Sequence, residues 1–186
     1  YRPSGNNLTD LSYSELGTKP SWLSTNASAS QGVFYSIMKE TGSMYQIVAI
    51  NLQTVQKTLN VTVGSGLFSD YGVSKLVAFN ATDGSSWTKL NDTSGERSFL
   101  ITMPNSSLAM FKFGIPFEVL GLPFDYDGWN WTAYSNYPSL SNMTVNSFDW
   151  NDLNITVNSP LDQFFKFYVP SGDSWTLEVN GLSYDS

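Results

Sequence analysis

Apolar residues in this chain come in short runs broken by turn formers, and no window repeats them at the helical period of 3.6 residues. That pattern rules out helix bundles and alternating α/β folds before any motif is considered. Gly32 to Met38 and Met44 to Ile50 are rich in β-formers and flank Thr41-Gly42-Ser43, which predicts a hairpin. Thr54 to Val63 alternates, with Val55, Leu59, Val61 and Val63 expected on one face around Lys57. Lys75 to Phe79 and Ser86 to Leu90 flank Asp83-Gly84, a strong turn signal. Ser98 to Met103 and Leu108 to Phe113 flank Pro104-Asn105. Further strands are predicted over Trp129 to Tyr134, Met143 to Trp150, Leu153 to Val157, Phe164 to Val169 and Trp175 to Val179. In the last, Trp175, Leu177 and Val179 share one face. About ten to thirteen short strands with turns every 8–12 residues predict an all-β fold, a sandwich of Greek-key or Ig-like type.

Composition narrows the function. Among 186 residues there is no Cys and no His. Disulfides, thiolate nucleophiles, Ser–His–Asp triads and HExxH zinc sites are therefore excluded. Lys and Arg number 9 against 16 Asp and Glu, so an acidic surface with scattered cations is expected to avoid nucleic acid. No apolar run reaches the roughly 18–20 residues of a membrane helix. The longest, Met110 to Leu122, is broken by Lys112, Gly114, Pro116 and Glu118. The chain begins at Tyr1, as expected where a leader has been removed or trimmed away. No membrane insertion, small-molecule substrate or enzymatic activity is expected.

The strongest motif signal is the N-x-[ST] acceptor triplet. It begins at Asn7, Asn26, Asn60, Asn80, Asn91, Asn105, Asn130, Asn142 and Asn154, nine of the sixteen Asn. Chance placement in this composition gives roughly 3.6. Seven of the nine end in Thr, although Ser is the commoner hydroxyl residue. The expected reading is an extracellular chain carrying covalent N-linked glycans, with no other cofactor and no metal. Small secreted animal domains are usually disulfide-rich, so the absence of Cys fits an archaeal surface protein better.

Three constellations invite chemistry. Asp125 and Asp127 beside Trp129 and Trp131, and Asp149 and Asp152 beside Trp150, put paired acids near aromatics, as glycosidases and sugar-binding sites do. Turn-plus-core is the simpler reading of both. The Asp125-Tyr126-Asp127-Gly128 stretch begins like a calcium loop, but Gly128 comes too early and the closing Glu is missing. Lys112 and Lys166 each lie between two Phe, an arrangement open to an isopeptide bond with Asn or Asp. Plain alternation, with Phe inward and Lys outward or guarding an edge, is preferred.

The first twenty residues differ from the rest. Tyr1 to Pro20 is polar, carries Pro3 and Pro20, and has isolated apolar residues at Leu8, Leu11, Tyr13 and Leu16. It reads as a disordered end or as an extended arm adding a strand to another subunit. We take residues 1–18 as this arm and 19–186 as one β-sandwich domain.

Taken together, the nine acceptor triplets, the cysteine-free acidic β-rich body and the polar arm resemble the pilins of archaeal thread filaments of thermoacidophiles. The resemblance implies an incomplete sandwich completed by a neighbour's donor strand, with copies of the chain joined head to tail in a cell-surface filament for adhesion or biofilm. It also implies that Leu8, Leu11, Tyr13 and Leu16 supply the donor contacts. Leu11 and Tyr13 fall on one face and Leu8 and Leu16 on the other, so not all four fill one groove without a bulge or twist. The alternative is a monomeric secreted or S-layer-associated carbohydrate-binding module, in which Trp129 and Trp150 would carry the affinity.

Overall fold

A computed structural model describes residues 20–28, 31–39, 42–121, 142–158, 164–180 and 182–185. The fold is predominantly β, built from several antiparallel sheets. In chain order its elements are β1 (Leu23–Thr25), β2 (Val33–Lys39), β3 (Gly42–Asn51), β4 (Lys57–Val63), α1 (Ser65–Tyr71), β5 (Lys75–Asn80), β6 (Thr88–Asn91), β7 (Ser98–Met103) and β8 (Ser107–Gly121). They continue with β9 (Asn142–Asp149), β10 (Asp152–Asn158), β11 (Phe164–Phe167), β12 (Thr176–Val179) and β13 (Leu182–Asp185). The strand predicted over Trp129 to Tyr134 lies outside the described residues, as do Leu8, Leu11, Tyr13 and Leu16 of the arm.

A three-stranded sheet has the order β1-β4-β7. Its inward residues, Leu59, Val61 and Val63 on β4 and Phe99, Ile101 and Met103 on β7, are buried. A six-stranded sheet has the order β2-β3-β8-β5-β6, with β11 also paired to β8. It contributes Ile47, Ala49, Leu76, Leu90, Phe111 and Phe113 to the same core. Phe99 bridges the two sheets, with ring centroids 6.0 Å from Phe111 and 5.5 Å from Phe113. Fully burying a side chain of this size stabilises the fold by about 1.5–3 kcal/mol. The register of β4 against β7 therefore has one good solution: a one-residue slip would expose Val61 and Phe99 together.

Two expectations need correcting. Val55 does not join the buried face of β4: it precedes the strand and is 56% exposed. The residues after β4 form a helix, α1, which lacks a side-chain N-cap and is too short for its periodicity to register in the sequence. Packing holds it, through buried Leu67 and Phe68. Gly72 ends it at φ 67°, a conformation that costs glycine little, and donates its N–H to the carbonyls of Phe68 and Ser69.

One buried polar side chain stitches the sheets together. Asn51, at the end of β3, is fully buried. Its Nδ2 donates to the carbonyls of Val55 at 2.8 Å, Pro104 at 2.7 Å and Met103 at 3.4 Å. Its Oδ1 accepts from the Gln53 N–H at 2.9 Å. The end of β3 is thereby tied to the β7–β8 turn, with every buried polar atom of the amide satisfied.

Candidate glycan-acceptor surface

Side-chain placement is described for six of the acceptor asparagines. Asn26, Asn60, Asn105 and Asn154 are exposed, Asn80 and Asn91 are half-buried, and none of the six is buried. Asn142 begins β9, with its backbone alone described, and Asn7 and Asn130 lie outside the described residues.

On a strand, the acceptor triplet matches the pleat. In Asn60-Val61-Thr62 the Asn and Thr fall on one face and the middle residue on the other. Asn60 is exposed, Val61 is fully buried and Thr62 is half-buried. The Thr62 hydroxyl lies 2.8 Å from that of Ser98 on β7. Asn80, Asn91 and Asn105 occupy the other geometry, at strand ends and in turns. Asn26 sits directly beside Asn60: its backbone N–H donates to the Asn60 carbonyl at 3.2 Å. The two acceptors thus extend the β1–β4 ladder by one pair.

Hydrogen bonds orient the acceptor amides. Glycosylation needs Nδ2, so an amide held by its oxygen is better placed than one held by its nitrogen. Asn26 Oδ1 accepts the Asn60 N–H at 2.7 Å, and Asn80 Oδ1 accepts the Thr82 N–H at 2.9 Å. A backbone N–H only donates, so these two amides have their oxygen, not their nitrogen, against the protein. Asn154 Oδ1 accepts from Asn146 Nδ2 at 2.8 Å, and the same Asn146 nitrogen reaches Thr156 Oγ1 at 2.8 Å. Asn91 is the reverse case: its Nδ2 donates to Glu96 Oε2 at 3.1 Å. Nothing in a triplet scan points to Asn146 or Glu96, because each meets its acceptor across a turn.

Around Trp150 the described side chains take structural roles. Asp149 and Asp152 face each other across the tight β9–β10 turn formed by Trp150 and Asn151. Asp149 is exposed and pairs with Lys75 at 2.7 Å. Trp150 is half-buried and packs against the core; its Nε1 donates to the Leu76 carbonyl at 2.9 Å. The ammonium groups of Lys75 and Lys89 lie 4.7 Å and 5.3 Å from its ring centre. Trp150 therefore anchors the β9–β10 hairpin to β5. Asp125, Asp127, Trp129 and Trp131 lie outside the described residues. Among the described residues no cluster of three or more metal-ligating side chains occurs.

The alternation around Lys112 holds for the two Phe, but the lysine itself is half-buried on a strand paired on both sides, neither out in solvent nor at an edge. Phe111 and Phe113 are buried, while Lys112 points to the other face and donates to Tyr168 Oη at 2.9 Å. Lys166 is exposed, with its ammonium 4.6 Å from the Tyr168 ring centre. Phe167 departs from the inward expectation: it is 38% exposed, on a strand that covers only the far end of β8. Perturbed phenols sit at α1, away from the acceptors. Burial pushes Tyr71 well above the usual tyrosine range, with the charges of Tyr45 and Asp70 adding to it.

Among the described residues, β7 and β2 each have one edge without a partner strand, and β1 covers only Val61–Val63 of β4. No protein-family model matches this chain, and neither does any curated protein or solved structure.

Proposed function

We propose that the chain is a structural subunit of an extracellular, N-glycosylated cell-surface filament. The observation that carries this reading is the placement of the acceptors. All six acceptor side chains described reach the surface, in a chain whose excess of triplets is far above chance. Surface exposure is what attachment of a glycan requires, and the polarity of asparagine favours it as well, so the excess of triplets and their exposure carry the reading together.

The assembly part of the reading is an incomplete Greek-key or Ig-like sandwich closed by a neighbour's arm. It is supported by the disparity between a three-stranded and a six-stranded sheet around one core, and by the edge of β7. An uncharged, regular edge strand invites a further strand. The arm, with Leu8, Leu11, Tyr13 and Leu16, runs into β1 at the opposite edge of the same sheet. A contact between unlike edges is heterologous, and where its rotation does not close into a ring its repetition yields an open fibre. Burying about 600 Å² of apolar surface at such a joint is worth roughly 15 kcal/mol before entropy costs.

Electron microscopy of native material tests the reading directly. Thin filaments that react with antibody to this chain are expected, and deletion of residues 1–18 is expected to leave unassembled subunits of lower stability. A native preparation of monomers, whose stability is unchanged by the deletion, would overturn it. The carbohydrate-module alternative loses ground at Trp150, whose indole N–H is bonded within the fold and whose ring has the ammonium groups of Lys75 and Lys89 against it.

A further inference from the structure

The outer face of the β1-β4-β7 sheet is made of small neutral polar residues, among them Ser24, Thr58, Thr62, Ser98 and Thr102. One large apolar side chain interrupts it. Leu100, in the middle of β7, is 59% exposed. A solitary exposed Leu is ordinary by itself. Its position is what matters: Leu100 is the register partner of the acceptor Asn60. Directly opposed residues of an antiparallel pair have Cβ atoms about 4.5–5.5 Å apart. Asn26 occupies the other flank of Asn60 and bonds to its backbone on that side. A substituent on Asn60 thus has a polar amide on one side and an apolar side chain on the other.

A pyranose ring has the matching chemistry, with an apolar C–H face and hydroxyls around its rim. We propose that the glycan on Asn60 lies across β7, with its first sugar ring seated on Leu100. The seat removes Leu100 from water and lays sugar over the middle of an uncharged outer strand. Ser98 and Thr102, on the same face two residues to either side, offer hydroxyls to the sugar rim. This inference rests on the reading that the chain is N-glycosylated.

The test is a thermodynamic cycle on full-length protein from the native host, with glycopeptide mass spectrometry as its first readout. With Asn60 glycosylated, Leu100→Ser is expected to lower Tm by about 2–4 °C. In the Asn60→Gln background the same change is expected to leave Tm unmoved. Leu100→Tyr, which offers a flat ring to the sugar, is expected to hold Tm in the glycosylated protein. Equal shifts from Leu100→Ser in both backgrounds would overturn the seat and leave the glycoprotein reading standing. An Asn60 found bare while other acceptors carry sugar would overturn the seat as well. Bare asparagines at all nine triplets would overturn the glycoprotein reading itself.

Discussion

The two principal sheets solve burial differently. The β1-β4-β7 sheet is one-sided: along β4, buried Leu59, Val61 and Val63 alternate with Thr58, exposed Asn60 and Thr62. The six-stranded sheet is buried on both faces over part of its width. Phe113 packs against Phe99 of the facing sheet, whereas Phe79 lies on the opposite face beside Lys112. There Phe79 stacks on Trp87 at 4.4 Å and meets Tyr168 at 5.0 Å, and it is 1% exposed. The one-sided sheet leaves a whole polar face, on which the triplet asparagine Asn60 stands exposed. The two-sided sheet has become an interior layer and carries its acceptors, Asn80 and Asn91, only at strand ends.

Paired substitutions test this contrast most strongly. Phe113→Ala and Phe79→Ala are each expected to cost about 3–5 kcal/mol, measured by denaturant unfolding. A Phe79→Ala cost near zero would show that the second face is not a built core. Next in size is Asn51→Ala, which strands the buried carbonyl of Met103 and the part-buried ones of Val55 and Pro104 where the sheets are joined. A loss of about 2–3 kcal/mol is expected, and a neutral result would mean that the joint is wet.

Acid should separate the sheets more gently. Among the described residues the ion pairs Lys75–Asp149 and Asp92–Arg97 involve β5, the β9–β10 hairpin and the β6–β7 connection, not the outer face of the one-sided sheet. Part-exposed surface pairs of this kind contribute about 0–1 kcal/mol each. Hydrogen bonds from the Ser85 side chain and backbone hold the Asp83 carboxyl below its usual value. The sign is that of a depressed acid: its contribution is present above the ordinary Asp range and is lost as pH falls through the lowered value. Tm is therefore expected to hold from pH 7 to about pH 4 and to slip by only about 2–4 °C toward pH 3. A collapse across that window, followed by calorimetry, would reveal ionic dependence that this contrast does not contain.

The smallest effect concerns occupancy. Asn60 stands exposed in mid-strand, while the Asn91 nitrogen is engaged by Glu96. Glycopeptide mass spectrometry is expected to find Asn60 occupied more fully than Asn91, and Glu96→Ala to narrow the gap. An unchanged gap would assign the difference to something other than this hydrogen bond.

The sequence by itself determined the β class, most strand positions and the exposure of the six triplet asparagines whose side chains are described. All three are written in local period-two alternation and turn residues: Ser98–Met103 alternates clearly enough to be bounded without a structure. The same locality explains what only tertiary structure decided. Only the second half of β8 escapes that pattern: Phe113 to Phe117 are buried in succession, so alternation has nothing to report there. The helix α1 is held by burial of Leu67 and Phe68 against distant strands. Asn51 looked like any of sixteen asparagines until the fold brought the Val55, Met103 and Pro104 carbonyls to its amide. Turn-plus-core is the simpler reading of Trp150, but its partners, a β5 carbonyl for its indole and a lysine for its ring, come only with the fold. Alternation is a property of neighbours in sequence, whereas a side chain's employment depends on partners that the chain returns to it from fifty or more residues away.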